Sequence, residues 1–255
     1  MSSLPAIPHG TGKHPIGMVV INATDLARAV DFYRKVFKWE LEGLSPQVAA
    51  GATPGMTGPT VALRVGMGAA HQGVVPFLGV PDVVGALDAA VAAGGSVEHA
   101  PWDAPMVGKL ARFADPSGTV YGLVTGTAPA PARIPPPFGD NPRPPANDVC
   151  SIEMYAADHA ATAAFFGSLF GWGTVATMPH YLGFDTGAGI GGVFQSHAPA
   201  ARGVPYIHAP DVGATLDAID AAGGARQGGV LPVPGLGSFG YFNDPSGTMM
   251  GLIGG

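Results

Sequence analysis

Apolar positions along the chain change their period at regular intervals, which predicts short strands alternating with helices. Residues 18–22 form a brief apolar run typical of a strand, and Asp25 follows it at the position of a helix cap. An aspartate there accepts hydrogen bonds from the unpaired amides of the first helical turn. Apolar residues then recur with helical spacing: Leu26, Val30, Tyr33 and Phe37. This segment therefore predicts a strand followed by an amphipathic helix.

A second strand and helix follow in the same order. Residues 75–80 are predicted as a strand, and Asp82 caps a helix whose inward positions are Leu87, Ala90 and Val91. Gly94 and Gly95 end this helix, because glycine readily adopts the left-handed conformation of a C-terminal cap. The sequence DPSG at 115–118 predicts a turn between strands. Each half of this region thus has the order βαβββ.

The whole pattern occurs twice in the chain of 255 residues. Residues 19–39 match 152–172 at an offset of 133 positions. Two later blocks match at an offset of 129 positions: 75–95 with 204–224, and 112–126 with 241–255. Matching blocks in the same order indicate an internal duplication.

The duplication predicts four segments. Proline is abundant between the two copies and disfavours helix and sheet, so this stretch is predicted to be an extended linker. The predicted boundaries are a flexible tail at 1–15, a first domain at 16–126, the linker at 127–148 and a second domain at 149–255.

Composition excludes several classes of function. The net charge is −6, with 12 basic and 18 acidic residues, and no basic cluster suits a nucleic-acid backbone or an anionic membrane. Cys150 stands alone, so no internal disulfide is possible, and we interpret it as a small apolar filler. The chain lacks an apolar run of 18 residues and the layout of a signal peptide. We therefore expect a cytoplasmic protein, a monomer or weak homodimer, whose partner is a small molecule.

The ordered motifs resemble the vicinal oxygen chelate superfamily, which includes glyoxalase I, bleomycin-resistance proteins, fosfomycin-resistance enzymes and extradiol dioxygenases. The resemblance lies in the strand–Asp–helix element at 16–39, the DAA-x-x-AGG helix end and the DPSG-x-x-x-G-L strand, with matching elements in both copies. It implies an α+β fold of four βαβββ modules, arranged as two tandem glyoxalase-like domains with pseudo-two-fold symmetry. Each curved sheet would form a cup around a small ligand.

The resemblance also implies where a divalent metal would be held. In catalytic members His, Gln or Glu side chains project into the cup. The corresponding positions here are Met18 and Ser151, Val75 (or Pro76) and Val204 (or Pro205), and Gly122 and Gly251, while a fourth would lie near 61–65 and 190–195. Catalytic sites of this type need about three protein ligands. Because these positions lack suitable side chains, we expect neither a metal nor another cofactor.

Strand alternation predicts which residues line the second cup. They are Ser151, Glu153, Tyr155, Tyr206 and His208. The first cup would instead be mostly apolar, with Met18, Val20, Asn22, Val75, Phe77 and Gly79 at the inward positions. Glu153 and His208 are candidates for an acid–base pair if they approach within hydrogen-bond distance. Contact with a ligand and a purely structural polar pair are the alternatives.

The expected function is binding of a small, partly apolar organic ligand without the usual metal site. The alternative is a lyase, hydroxylase or dioxygenase-type enzyme of the same superfamily, using Glu153 and His208 or a metal site at other positions. A scaffold or regulatory protein would have filled cups. The sequence GAGIGG at 187–192 matches a dinucleotide-binding fingerprint, but a predicted strand follows it instead of the required helix.

Overall fold

A computed structural model describes residues 7–66, 73–125, 132–134 and 141–254. The first copy contains β1 (Ile16–Ala23), α1 (Leu26–Phe37), β2 (Glu40–Ser45), β3 (Val48–Ala52), β4 (Thr60–Val65), β5 (Val74–Gly79), α2 (Val83–Ala92), β6 (Ser96–Ala104), β7 (Gly108–Ala114) and β8 (Val120–Val124). The second contains β9 (Val149–Tyr155), α3 (His159–Phe170), β10 (Gly173–Met178), β11 (Tyr181–Asp185), β12 (Gly192–Gln195), β13 (Gly203–His208), α4 (Val212–Ala221), β14 (Ala225–Arg226), β15 (Leu231–Val233), β16 (Gly237–Asn243) and β17 (Met249–Gly254).

Each copy forms one mixed sheet, which confirms the predicted α+β fold and its duplicated βαβββ modules. The strand orders are β2-β3-β4-β1-β5-β8-β7-β6 and β10-β11-β12-β9-β13-β17-β16-β14. The copies differ at one edge, where the nine residues of β6 correspond to two short strands, β14 and β15, that both pair with β16. Gly228 and Gly229 lie between them, and glycine weakens a strand because it has no side chain to pack.

The helices begin where the aspartates predict. Asp25 and Asp82 accept hydrogen bonds from backbone amides of α1 and α2. The end of α2 is also confirmed, because Gly94 follows the helix with a φ of 98°.

The buried faces of these two helices differ from the prediction. In α1 the buried residues are Ala29, Phe32, Tyr33 and Phe37, so Leu26 and Val30 lie at the margin of the core. In α2 Val91 is 41% exposed, whereas Leu87 and Ala90 are buried as predicted. Sequence spacing thus identifies the side of a helix that is buried, but not which residues on that side lie deepest. In α1 the deepest residues include the aromatic residues Phe32, Tyr33 and Phe37.

Contacts divide the chain into two compact units, each of which draws on both copies. The first unit consists of the described parts of 1–18, 75–133 and 152–203, and the second of the described parts of 19–74, 134–151 and 204–255. In the first unit α3 packs on β7, where the rings of Phe113 and Phe170 stack 6.0 Å apart. In the second unit α1 packs on β16, where the rings of Phe37 and Phe242 stack 5.8 Å apart.

The segments that precede β1 and β9 are held by a pair of equivalent tryptophans. In the second unit Trp39 Nε1 donates to the carbonyl of Asn147 at 2.8 Å. In the first unit Trp172 Nε1 donates to the carbonyl of His14 at 2.9 Å. Residues 7–15, part of the predicted flexible tail, therefore form specific hydrogen bonds.

Of the predicted linker at 127–148, residues 127–131 and 135–140 lie outside the described residues, as do 1–6 of the tail. Among the helices that the structure describes, none is long and apolar enough to cross a membrane.

Candidate functional site

Each sheet turns one face toward helices and presents the other as an inner face. In the second unit Phe242 packs against rings of α1, which identifies the helix-facing side of β16. Tyr241, the preceding residue, therefore lies on the inner face. Tyr241 and Tyr206 are both in register with Gly251 of the strand between them. These three residues consequently lie side by side on the inner face.

The two tyrosines form an aromatic surface with paired hydroxyls. The hydroxyl oxygens of Tyr206 and Tyr241 lie 2.9 Å apart, within hydrogen-bond distance. The ring of Phe239 meets that of Tyr206 edge-on, with centroids 6.1 Å apart. We call Tyr206, Phe239, Tyr241 and Gly251 the tyrosine face.

Gly251 lies directly beneath the ring of Tyr206. A Cβ atom on Gly251 would lie 2.5 Å from that ring, which no unshifted side chain tolerates. In the first unit a Cβ on Gly122 would likewise overlap the ring of Phe77. These glycines occupy the positions at which the family resemblance expects a metal-binding glutamate, so an aromatic ring covers that position in both copies.

His208 lies on the same side of β13 as Tyr206 and is 6% exposed. Its backbone N–H donates to the carbonyl of Asp148 at 2.9 Å. Its Nδ1 is buried and has no hydrogen-bond partner among the described residues. Burial lowers the pKa of His208, and the guanidinium of Arg143 lowers it further, against the opposing effect of the backbone of Pro145. The imidazole is therefore neutral at pH 7.

Ser151 and Cys150 occupy opposite sides of β9 in the second unit. Ser151 is half-buried and shares its side with the inward positions of the strand. Cys150 is buried, and its thiol lies 3.5 Å from the carbonyl oxygen of Tyr206. Burial raises the pKa of the Cys150 thiol well above its usual range. An inert thiol agrees with the prediction of an apolar filler.

Glu153 and Tyr155 continue the inward side of β9 in the first unit, where they pair in register with Val193 and Gln195 of β12. Glu153 is buried and Tyr155 half-buried. The guanidinium carbon of Arg202 lies 5.3 Å from the centre of the Tyr155 ring, a cation–π contact. The proposed acid–base pairing of Glu153 with His208 stays a prediction.

The residues at the expected metal positions do not fit a metal ion. Met18, Val75 and Gly122 offer no ligand, and a carboxylate at Gly122 would collide with Phe77. The side chain of Gln195, near the fourth position, is hydrogen-bonded to the loop that follows β12: its Nε2 donates to the carbonyl of Ala198 at 2.8 Å. In the part of the chain that the structure describes, no three His, Cys, Asp or Glu side chains group closely enough to bind a metal.

The first cup was predicted to be mostly apolar, but the structure places the charged residue Arg112 on its inner face. It lies on β7 in register with His99 of β6 and Gly122 of β8, and it is only 6% exposed. Its neighbour Phe113 faces α3, so Arg112 lies on the inner face. The signal was present in the sequence KLARFA, where a charge takes an inward position of a buried strand.

Comparison with known proteins agrees with this fold. Residues 15–121 match the model of the Glyoxalase/Bleomycin resistance protein/Dioxygenase superfamily. No curated protein sequence matches this chain.

Similar solved structures cover nearly the whole chain. The Mn(II)-bound glyoxalase from Novosphingobium aromaticivorans is 16% identical, covering 94% of this chain and 81% of its own, with a TM-score of 0.65. The 2,3-dioxygenase LapB from Pseudomonas sp. KL28 is 15% identical, covering 97% of this chain and 93% of its own, with a TM-score of 0.65. The 2,2',3-trihydroxybiphenyl 1,2-dioxygenase from Sphingomonas wittichii strain RW1 is 16% identical, covering 99% of this chain and 91% of its own, with a TM-score of 0.57. At these identities the similarity establishes the fold alone.

Proposed function

Since this chain belongs to the glyoxalase/bleomycin resistance protein/dioxygenase superfamily, we propose that it binds a small, partly apolar organic molecule on the tyrosine face, without the metal ion of catalytic members. The observation that carries this proposal is the ring of Tyr206 over Gly251. A glutamate at Gly251 would have to displace that ring. The position that supplies a carboxylate in catalytic members thus supplies aromatic surface here.

The chemistry of the tyrosine face supports a ligand that is largely uncharged. Binding sites combine an apolar lining with a few polar groups that orient the ligand. The rings of Tyr206 and Phe239 provide the lining, and the paired hydroxyls of Tyr206 and Tyr241 can donate and accept hydrogen bonds. The neutral imidazole of His208, with Nδ1 unpartnered among the described residues, adds a further polar group.

The second candidate function is a lyase, hydroxylase or dioxygenase-type reaction. The names of the similar structures favour it, since they include an Mn(II)-bound glyoxalase and a 2,3-dioxygenase. Such a reaction would use Glu153 and His208 as acid and base, or a metal bound at positions other than those the resemblance assigns.

A metal analysis combined with a ligand screen separates the two candidates. Purified, untagged protein is screened by thermal shift against small organic molecules, with and without added Mn²⁺, Fe²⁺ or Zn²⁺. A ligand at 100 times its Kd stabilises the fold by about 2.7 kcal/mol. We expect stabilising ligands that need no metal, and elemental analysis well below one metal per chain. Stoichiometric metal on which an activity depends would overturn the proposal.

Matched variants then test the location of the site with the ligand that the screen identifies. We expect His208→Ala and Tyr241→Phe to weaken binding of that ligand while leaving the melting temperature nearly unchanged. The control variants Val20→Ala and Phe77→Ala remove buried apolar groups of the first copy. They should lower stability by about 1–4 kcal/mol and leave the affinity intact. Normal binding by the first pair, with lost binding and unchanged stability in the second, would contradict the assignment.

A further inference from the structure

Two histidines meet at one end of the antiparallel pair β11–β12, within the first unit. Tyr181, the first residue of β11, is in register with Gln195, the last residue of β12. His180 precedes β11 and His197 follows β12 by two residues, so the hydrogen-bonded strands bring both to the same end. Their ring centroids lie 6.3 Å apart, with 61° between the ring planes. We call His180 and His197 the histidine pair.

We propose that the histidine pair binds one divalent transition-metal ion that prefers imidazole ligands, such as Zn²⁺, Ni²⁺ or Cu²⁺. Neutral imidazole is the commonest protein ligand of such ions. Among the described residues no third His, Cys, Asp or Glu side chain joins the pair closely enough to share an ion, so water completes the coordination. With two protein ligands, the ion should bind when it is supplied and leave on dialysis against a chelator.

This site goes beyond the function proposed above and does not depend on it. The histidine pair belongs to the first unit, whereas the tyrosine face belongs to the second. It also lies outside the positions at which the family resemblance expects a metal. A metal ion at the histidine pair is therefore compatible with cups that bind none.

The distance between the two rings suits a shared ion. A metal–nitrogen bond of about 2.0–2.1 Å places two imidazole centroids on the same ion about 5–6.5 Å apart. The observed separation of 6.3 Å lies within this range. Both histidines are exposed, so an ion can reach them from solvent and water can occupy its remaining positions.

Each ring has a hydroxyl group beside one of its nitrogens. Nδ1 of His180 lies 3.4 Å from Oγ of Ser196, and Nε2 of His197 lies 3.5 Å from the hydroxyl oxygen of Tyr181. The other nitrogens, Nε2 of His180 and Nδ1 of His197, have no hydrogen-bond partner among the described residues. Metal-bound histidines commonly donate their second N–H to an oxygen, which orients the ring. The hydroxyls of Ser196 and Tyr181 can serve this purpose, with one nitrogen of each ring left for the ion.

The backbone that carries the pair is held by hydrogen bonds. The N–H of Ser196 donates to the carbonyl of His180 at 3.1 Å. The side chain of Gln195 is fully buried, and its Oε1 accepts from the N–H of His197 at 3.0 Å. Ligands on a fixed backbone lose less freedom when they bind, which favours affinity.

The histidine pair is specific to the second copy. The equivalent strands of the two copies pair in the same way. In the first copy, Gln47 and Gly66 occupy the positions of His180 and His197. The fold that the copies share therefore does not require histidine at either position.

A third histidine in this region does not oppose a cation. His159 begins α3, where the first copy has Leu26, and it interacts electrostatically with His180. Burial lowers the pKa of His159, against the opposing effect of Asp158. Its imidazole is therefore neutral at pH 7 and does not repel an ion at the histidine pair.

The test is isothermal titration calorimetry of Zn²⁺ into the untagged full chain, after dialysis against a chelator that is then removed. Wild type is compared with His180→Asn and His197→Ala. Asparagine is chosen at position 180 because His180 has a φ of 67°, a left-handed conformation that asparagine tolerates. The control is His99→Ala, which removes an exposed histidine whose ring contacts Trp102 and not another histidine.

We expect wild type to bind one Zn²⁺ per chain and to show no measurable binding of Ca²⁺, which takes oxygen ligands. His180→Asn and His197→Ala should each weaken Zn²⁺ binding by about tenfold or more, because the loss of a residue that only orients a metal ligand already costs roughly 10–100-fold. His99→Ala should match wild type. A folded His180→Asn or His197→Ala variant with the wild-type affinity would overturn the proposal, and so would wild type that does not bind Zn²⁺.

Should a variant fail to fold, a measurement on wild type decides the question. Pulsed electron paramagnetic resonance of the chain with one equivalent of Cu²⁺ counts the imidazole rings that coordinate the ion. We expect two coordinated imidazoles. A spectrum with one imidazole or none contradicts the proposal.

Discussion

The buried carboxyl group of Asp115 should make the stability of this protein fall as the pH rises. Asp115 begins the DPSG turn of the first copy and is 4% exposed. Its Oδ1 accepts hydrogen bonds from the amides of Ser117 at 2.8 Å and Thr119 at 2.9 Å. Burial raises the pKa of Asp115 from 3.8 to about 6, against the opposing effects of these amides and of the guanidinium of Arg202.

The sign follows from the direction of this shift. A pKa that is higher in the folded state means that folding favours the protonated carboxyl. The resulting stabilisation is complete below about pH 4 and is lost as the pH rises through the folded pKa of about 6. A difference of roughly two pKa units corresponds to about 3 kcal/mol of unfolding free energy, at about 1.4 kcal/mol per unit.

The substitution Asp115→Asn removes the charge but keeps an oxygen that accepts from the amides of Ser117 and Thr119. Relative to wild type, the free energy of unfolding should be nearly unchanged at pH 4. It should exceed that of wild type by about 2–3 kcal/mol at pH 7. Urea denaturation followed by circular dichroism at pH 4, 5, 6 and 7 measures this difference, and dilute protein limits association near the isoelectric point of 5.6.

Asp244, in the same turn of the second copy, provides the matched control. Burial also raises the pKa of Asp244, but the hydroxyl of Tyr33 donates to its Oδ2 at 2.9 Å and partly offsets the burial. Asp244→Asn also removes that acceptor, so its gain at pH 7 should be smaller. The reasoning is refuted if Asp115→Asn differs from wild type by the same amount at pH 4 and pH 7, or is the less stable protein at pH 7.

Two further substitutions test the packing of the inner face and the contribution of a buried hydrogen bond to stability. Gly122→Ala places a Cβ in the ring of Phe77 and should lower the urea midpoint by the equivalent of about 1–3 kcal/mol. Adding Phe77→Leu to that variant should recover part of the lost stability. A Gly122→Ala variant as stable as wild type would contradict the observed overlap. Tyr33→Phe removes the donor to Asp244 and should cost about 1–2 kcal/mol at pH 7, and a variant as stable as wild type at that pH would show that the bond contributes little.

The element order, the duplication and the ends of the helices could be predicted from the amino-acid sequence alone. These features follow from rules that act within a few residues. Asp25 caps α1 because its carboxylate reaches an amide three positions ahead, and Gly94 follows α2 with positive φ because it lacks a Cβ atom. The repeat of such signals in the same order was enough to predict four βαβββ modules.

Which side chains are buried, and which groups they contact, depends instead on how the elements pack together. Arg112 is surrounded by residues of other strands, and spacing within its own strand shows its side but not its burial. The two DPSG turns have identical sequences, yet Asp244 receives the hydroxyl of Tyr33 from 211 positions away, whereas Phe166 stands at the equivalent position of the other copy. Burial and long-range hydrogen bonds depend on residues that the fold brings together, so local sequence leaves them undetermined.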